Sequence, residues 1–301
     1  SSGLIASVNV GSEFESAFAG VEKTVDASNT ELAMMRDNIR EMARNEIPMA
    51  ADELSEIAES AGQLGIKNEN IIGFTGTMAN MDAATDLGSK EAAEEFAKFA
   101  NITKMSQDYF SNLGSSVVAL GNNMATQEAN IVGMGMRIAA AGHQVNLSES
   151  DIMAYAASLS SVGIEEEAGG SAFSKVLTNL QMAVETGEKL KEYADVAGMS
   201  GEEFKQTFGE DTTKAINSFI AGLNDAERNG KSAIAVLDEM GLTEVRLRDT
   251  LLRAANASEI FDNALTISSD AWNENTALAN EAAQRYKTFE SQCQMTQNKL
   301  S

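Results

Sequence analysis

One proline, one cysteine, one histidine and one tryptophan stand among 301 residues. Average usage would give about fifteen prolines. Proline lacks the backbone N–H and clashes one turn back in a helix, so a chain nearly free of it is expected to be mostly helical. The single cysteine, Cys293, excludes an internal disulfide and agrees with a reducing compartment. Aromatic residues make up 6%, so the core is expected to rest on Ala, Leu, Ile, Val and 15 Met. Basic residues are scarce: 22 Lys and Arg face 45 Asp and Glu, a net charge of −23. Such a surface repels phosphate backbones and anionic lipid, which argues against direct nucleic-acid or membrane-surface binding. The plain expectation is an acidic, solvated exterior. No apolar run approaches the roughly 18 residues of a membrane span, and no basic-then-apolar signal opens the chain. It begins "SSGLIASVNVG", without an initiator methionine, and reads as a piece of something longer, with Ser1 to Gly3 as a remnant of expression.

What is there is a recurring joint. In "ADVAGMSGEEFKQTF" a helical pattern stops at Gly198 and restarts at Ser200. Ser200 is placed to cap the new helix and Glu203 to bond back to it, a capping box, with Met199 and Phe204 as a hydrophobic staple. "NLSESDIM" repeats the grammar with Leu147, Ser148, Asp151 and Ile152. "KMSQDYF" gives Met105, Ser106 and Phe110, and "GLTEVRL" gives Leu242, Thr243 and Leu247. Gly198 and Gly241 precede two of these starts, where a left-handed residue ends a helix. The joints fall roughly 40 to 50 residues apart, the period range of helical arrays. Weaker starts lie at Asn68, Ser89 and Thr126.

The predicted fold class is all-α: an array of many short helices flanked by longer terminal ones. Residues 1–46 are expected to form one long helix or a pair, with the apolar stripe Phe14, Phe18, Val21, Val25, Leu32, Ile39 and Met42, and a break at a Ser28–Glu31 capping box. Residues 47–268 form the array. Its stripes include Leu54, Ile57, Ala58, Ala61 and Leu64, with Pro48 at the front of that helix. Further stripes are Phe173, Val176, Leu177, Leu180 and Val184, and Ile152, Tyr155, Ala156 and Leu159. Residues 269–301 form a polar C-terminal helix with sparse apolar positions at Trp272, Leu278, Tyr286, Phe289, Met295 and Leu300. Such a helix is marginal alone. It is expected to pack on another copy or to continue as a coiled coil.

Candidates for chemistry are few. His143, in "AAAGHQVNL", follows Gly142 at an expected helix end and reads as a turn or capping residue. One histidine without nearby cysteine makes no conventional structural zinc site, and no G-x-S-x-G elbow is present. Paired carboxylates could serve a glycosidase: Glu94–Glu95, Glu202–Glu203 and Glu165–Glu166–Glu167. All lie near predicted helix starts or on polar faces, where the helix dipole alone favours acids. Gly133, Gly135, Gly169 and Gly170 follow no strand, so they make no phosphate loop. They read as points of close helix approach. No catalytic, cofactor-binding or metal-binding residue is assigned, and no cofactor.

Several strings together carry a resemblance. They are "EFESAFAGVEKTVDAS" (Glu13–Ser28), "IREMARNEIPMAADELSEIAESAGQLGI" (Ile39–Ile66), "ATDLGSKEAAEEFAKFANIT" (Ala84–Thr103), "VALGNNMATQEANIVGMGMRIAAAG" (Val118–Gly142), "SSVGIEEEAGGSAFSKV" (Ser160–Val176), "AIAVLDEMGLTEVRLRDTLLRAA" (Ala233–Ala255) and "WNENTALANEAAQRY". In this order, over nearly the whole chain, they resemble the core region of tailed-phage tail tape measure proteins.

The resemblance implies a structural, non-enzymatic virion protein in the lumen of the tail tube, present in the host cytoplasm during assembly. It would take part in tube assembly, tail length determination and ejection during DNA delivery. Implied partners are tail tube protein, distal tail proteins and tail assembly chaperones, with self-association through terminal helices. The host envelope would be met only through other parts of a longer chain. The family contributes no catalytic residues to this region. Two rival readings are a tail-associated cell-wall hydrolase acting through Glu165–Glu167, and a generic helical partner-binding scaffold.

Overall fold

Good helix formers separated by encoded stops give a chain of rods. The computed structural model describes residues 2–228 and 232–300; the side chains at 2–10, 227, 228 and 289 lie outside that description. The expectations for Ser1–Gly3 and for Phe289 therefore fall outside the described side chains. In order, the helices are α1 (Ser2–Thr24), α2 (Asn29–Asn45), α3 (Ala51–Gln63), α4 (Asn68–Ala84), α5 (Ser89–Thr103), α6 (Phe110–Asn123), α7 (Glu128–Gln144), α8 (Glu149–Ser161) and α9 (Glu166–Thr186). They continue with α10 (Leu190–Val196), α11 (Gly201–Glu210), α12 (Thr212–Arg228), α13 (Ala233–Glu239), α14 (Val245–Asn256), α15 (Ser258–Glu274), α16 (Ala277–Arg285) and α17 (Phe289–Leu300). A 3-10 turn covers Gln107–Tyr109, and no strand occurs among the described residues. The fold is all-α.

The joints have one construction. Gly65, Asn146, Gly163, Gly198 and Gly241 all take left-handed φ, between +62° and +78°. After each comes an apolar residue whose N–H bonds the carbonyl five residues back: Ile66 to Ala61, Leu147 to Gly142, Ile164 to Leu159, Met199 to Ala194 and Leu242 to Leu237. This is the Schellman stop, with its apolar residue folded under the helix end. The capping boxes at Ser28, Ser148 and Ser200 are all formed. Two hydrogen bonds from Ser28 hold the exposed Glu31 carboxyl below its ordinary value.

The starts expected at Asn68 and Ser89 are the first residues of α4 and α5, with Lys67 and Gly88 as their N-cap residues. The start expected at Thr126 falls instead at Glu128, and Glu244 rather than Thr243 caps α14. The Thr126 hydroxyl meets Ser160 at 2.6 Å instead, and the Asn68 amide bonds the Asp26 carbonyl at 2.7 Å. Ser106 caps the 3-10 turn rather than α6 itself. Pro48 lies in the α2–α3 connection, not at the front of α3, because α3 starts where the Glu53 carboxylate reaches the Ala50 N–H at 3.2 Å.

Two compact units emerge: Ser1–Val118 with Glu274–Ser301, and Ala119–Asn273. In the first, α1 and α2 share their packing with α3 and α4, and the C-terminal helices return to the same body. In the first unit α1 packs on α3. Gly62 lets them close: a Cβ there would lie 2.7 Å from Thr24 Oγ1 and 2.9 Å from a Val25 methyl. Ser28 breaks the N-terminal stretch into a pair, and Met35 rather than the half-buried Leu32 fills the stripe.

The C-terminal stretch is not one helix, and it packs on its own chain. Asn275 turns left-handed (φ +48°), and its amide donates to Ser111 Oγ (2.8 Å) while its oxygen accepts from Ser115 (3.1 Å). Leu278 is buried beside Gly114. Tyr286 donates to Asn80 Oδ1 (2.6 Å). Asn298, 6% exposed, donates to the Ala43 and Met49 carbonyls at 2.7 and 2.9 Å. Polar side chains thus find buried partners that the sparse apolar pattern does not announce.

In the second unit α8 is buried on all sides, from Ile152 through Leu159. A stripe is expected there, but a helix of small residues can be enclosed completely. Alanine is the commonest buried side chain, yet every described phenylalanine is buried as well. Each such burial contributes roughly 2 kcal/mol, so the few aromatics carry more of the core than composition suggests.

Candidate functional site

The expected carboxylate groups are each occupied by local structure. Glu94 and Glu95, on α5, both approach Lys98, at 3.4 and 3.8 Å. Glu203 accepts from the Ser200 N–H in its capping box, with exposed Glu202 beside it in the first turn of α11. Glu165 is the N-cap residue of α9, and Glu166 and Glu167 occupy its first turn. Acids at helix starts follow from the dipole. Among the described residues no three His, Cys, Asp or Glu side chains gather as metal ligands would.

His143 is exposed in the last turn of α7. The helix does not end at Gly142, which is buried where a Cβ would meet Ile152 at 2.8 Å. It runs on to Gln144, with Val145 as the C-cap residue, and the left-handed Asn146 beyond it donates its N–H to the His143 carbonyl at 3.1 Å. Cys293 is exposed on α17.

The singled-out glycines are close-approach points. A Cβ on Gly135 would lie 2.7 Å from Met153 Sδ on α8, and one on Gly170 would lie 2.4 Å from Arg137 Cβ on α7. So α7 is held tightly against both α8 and α9. The space a phosphate would need is filled by side chains, among them the Glu166 carboxylate over Gly133.

Two features have no counterpart in the sequence expectations. The first is a polar junction in the second unit that runs from a buried tyrosine to the exposed Asp262. Tyr155 is fully buried on α8, its ring tilted against those of Phe173 and Phe261 with centroids at 5.1 and 5.8 Å. Its hydroxyl donates to Asn217 Oδ1 at 2.8 Å, and the Asn217 amide donates to Asp262 at 2.5 Å. This ties α8, α12 and α15 together. Burial, helped by the nearby charges of Asp151, Asp262 and Asp211, holds the phenol well above its ordinary value. The Tyr155 position is legible as core, but its partners lie about sixty residues away.

The second feature is a concavity of about 860 Å³ between α10, α12 and α13. Its corner is fixed by Gly222, where a Cβ would lie 1.7 Å from the Val196 carbonyl oxygen. A signal for it exists in "SFIAGLNDA": Ser218, Ala221, Gly222, Asp225 and Ala226 recur at helical spacing, opposite the buried Phe219, Ile220 and Leu223. That second, small-residue face of α12 is easily overlooked beside the apolar one.

No described helix is long and apolar enough to cross a membrane. A family model described as phage-related minor tail protein matches residues 36–261. The chain is also 22% identical, over 246 residues, to a "Probable tape measure protein" of Halomonas phage phiHAP-1. That alignment takes in 77% of this chain and 29% of the relative, so the chain spans under a third of that protein's length. No solved structure matches it. The match over most of the chain, laid on an all-α fold, means that the chain belongs to the phage-related minor tail protein family and is related to phage tail tape measure proteins.

Proposed function

We propose that these residues form a folded, non-catalytic domain of a tail tape measure protein, with a structural part in tail tube assembly, length determination and genome ejection. The observation that carries the proposal is the family match over residues 36–261. Its expected place is the virion tail, in the tube lumen, with tail tube protein, distal tail proteins and assembly chaperones as partners.

Helix geometry limits how the domain takes part. A helix rises about 1.5 Å per residue, so this length of chain as one rod would span roughly 450 Å. The longest described helix has 23 residues, about 35 Å on the same rise. A globule with these stops is therefore a docking or assembly domain, or it opens before it is threaded. An in-frame deletion series in the full protein tests this. Loss of residues here should leave tail length nearly unchanged; shortening by about 1.5 Å per deleted residue would show that the segment is extended in the tail.

Absence of catalysis has its own test. Purified chain incubated with peptidoglycan should release no soluble fragments. Release abolished by substituting Glu165–Glu167 would establish the hydrolase instead.

A further inference from the structure

We propose that α17 is a detachable strap. Docked, it caps the carboxyl end of α2; released, it swings away about the turn that follows Tyr286 while the rest of the first unit stays folded. The inference rests on this geometry and not on the tape-measure reading. From Glu290 onward, the face that α17 turns to its own chain carries Ser291, Gln294, Met295 and Asn298, the i, i+3, i+4, i+7 spacing of one helical stripe. Three of these four are polar, Met295 is half-buried, and Leu300 is exposed. These side chains remove little apolar surface from water, so the hydrophobic contribution that would make their departure costly is small. The bonds of the seat are hydrogen bonds, which water replaces on undocking.

The seat depends on the strap in turn, because α2 ends without a local stop. Its connection to α3, residues 46–50, holds no left-handed residue, and Pro48 has no N–H to give. The last carbonyls of a helix have no partner within it. That of Met42 accepts from the Glu46 and Ile47 N–H groups. Those of Ala43 and Met49 accept from the Asn298 amide. Gln294 donates to Asn298 Oδ1 at 2.9 Å, which fixes the amide with its hydrogens on the two carbonyls. One side chain thus closes a joint about 250 positions away, and its loss loosens strap and joint together. The boundary on the other side is firm. Tyr286, after α16, donates to Asn80 on α4, and Leu278 is buried. Across the turn run only exposed bonds, from Gln292 to the Tyr286 carbonyl and from Ser291 to the Arg285 carbonyl.

Cys293, the single cysteine and exposed on α17, supplies the probe. Donor and acceptor dyes on Cys293 and on Asp37→Cys, an exposed position of α2, are read by single-molecule energy transfer in the whole chain. A high-transfer docked population should coexist with a low-transfer one that grows in urea before the far-UV circular dichroism falls. Asn298→Asp sets a carboxylate against two carbonyl oxygens and should raise the undocked-to-docked ratio at least about tenfold. Thr296→Asp adds the same charge at an exposed position two residues earlier and should leave the ratio within about twofold of the parent. Hydrogen exchange in Asn298→Asp should quicken in α17 and residues 46–50 together and leave α16 protected. A single population that persists until the whole chain melts would overturn the proposal, and the parent's urea series decides this even where Asn298→Asp does not fold. An unchanged ratio in folded Asn298→Asp, an equal rise in Thr296→Asp, or α16 exchanging along with α17 would overturn it too.

Discussion

Gly222 and Gly73 show how differently two helical glycines behave. At Gly222 an added Cβ meets a backbone oxygen at 1.7 Å, which no rotamer change relieves; at Gly73, on α4, nothing lies within 4 Å. Gly222→Ala should destabilise the second unit by about 2–3 kcal/mol through overpacking. Gly73→Ala should stabilise the first by about 0.5–1 kcal/mol through helix propensity. Urea unfolding of both variants measures the contrast, and equal effects would contradict these geometries. Tyrosines give a second residue-scale prediction. Burial raises Tyr193 to about 12 and lifts Tyr286 too, while Tyr155 lies well above its ordinary value. Above about pH 10 the unfolded chain loses these phenolic protons and the folded chain keeps them. Stability should therefore be flat from neutral pH to about 10 and fall beyond it. Tyr155→Phe should lose about 1 kcal/mol at neutral pH by orphaning the Asn217 oxygen, and should lessen the alkaline fall. Urea melts at about pH 8 and about pH 11 provide the comparison.

Among elements, the joints and the C-terminal helices differ in what holds them. Ser148→Ala removes a local cap from α8 and should cost about 1 kcal/mol. α17 depends on distant partners: Asn298 is its one buried residue among those described. Asn298→Ala leaves the Ala43 and Met49 carbonyls without that donor, at a cost of about 1–3 kcal/mol. Hydrogen exchange should then quicken through α17 and the α2–α3 connection, while α8 remains protected. Uniform quickening would mean that α17 is not separately held. The joint at Gly198 was readable because a glycine, an apolar residue and a Ser-x-x-acid lie side by side in the sequence; the stops at Gly65 and Gly163 lack the Ser-x-x-acid and were not. The seat of α17 was not, because its amide bonds carbonyls about 250 positions earlier.

For the molecule as a whole, charge is the governing quantity. A net charge of −23 opposes compaction by self-repulsion. Many of the few cations are already engaged: Arg36 and Arg40 lie over the Phe18 and Phe14 rings and pair with Glu15, and Arg248 pairs with Asp238. Raising salt from about 0.05 to about 0.5 M shortens the Debye length to a few ångströms. The melting temperature should rise by several degrees, as read by circular dichroism; a fall would mean that the ion pairs outweigh the repulsion.

Backbone grammar belonged to the sequence alone. The stops at Gly198 and Gly241, the caps at Ser28, Ser148 and Ser200 and the all-α fold follow from side chains bonding their own near neighbours, and the acidic exterior follows from composition. Even the glycines of α7 and α9 were recognisable as contact points, though not what they touch. Tertiary structure alone decided that the polar C-terminal stretch folds back, that Tyr155, Asn217 and Asp262 meet, and that the small face of α12 becomes the floor of a groove. Each of these joins residues tens to hundreds of positions apart. Such pairings depend on the shape of the packed core rather than on any local preference of the chain.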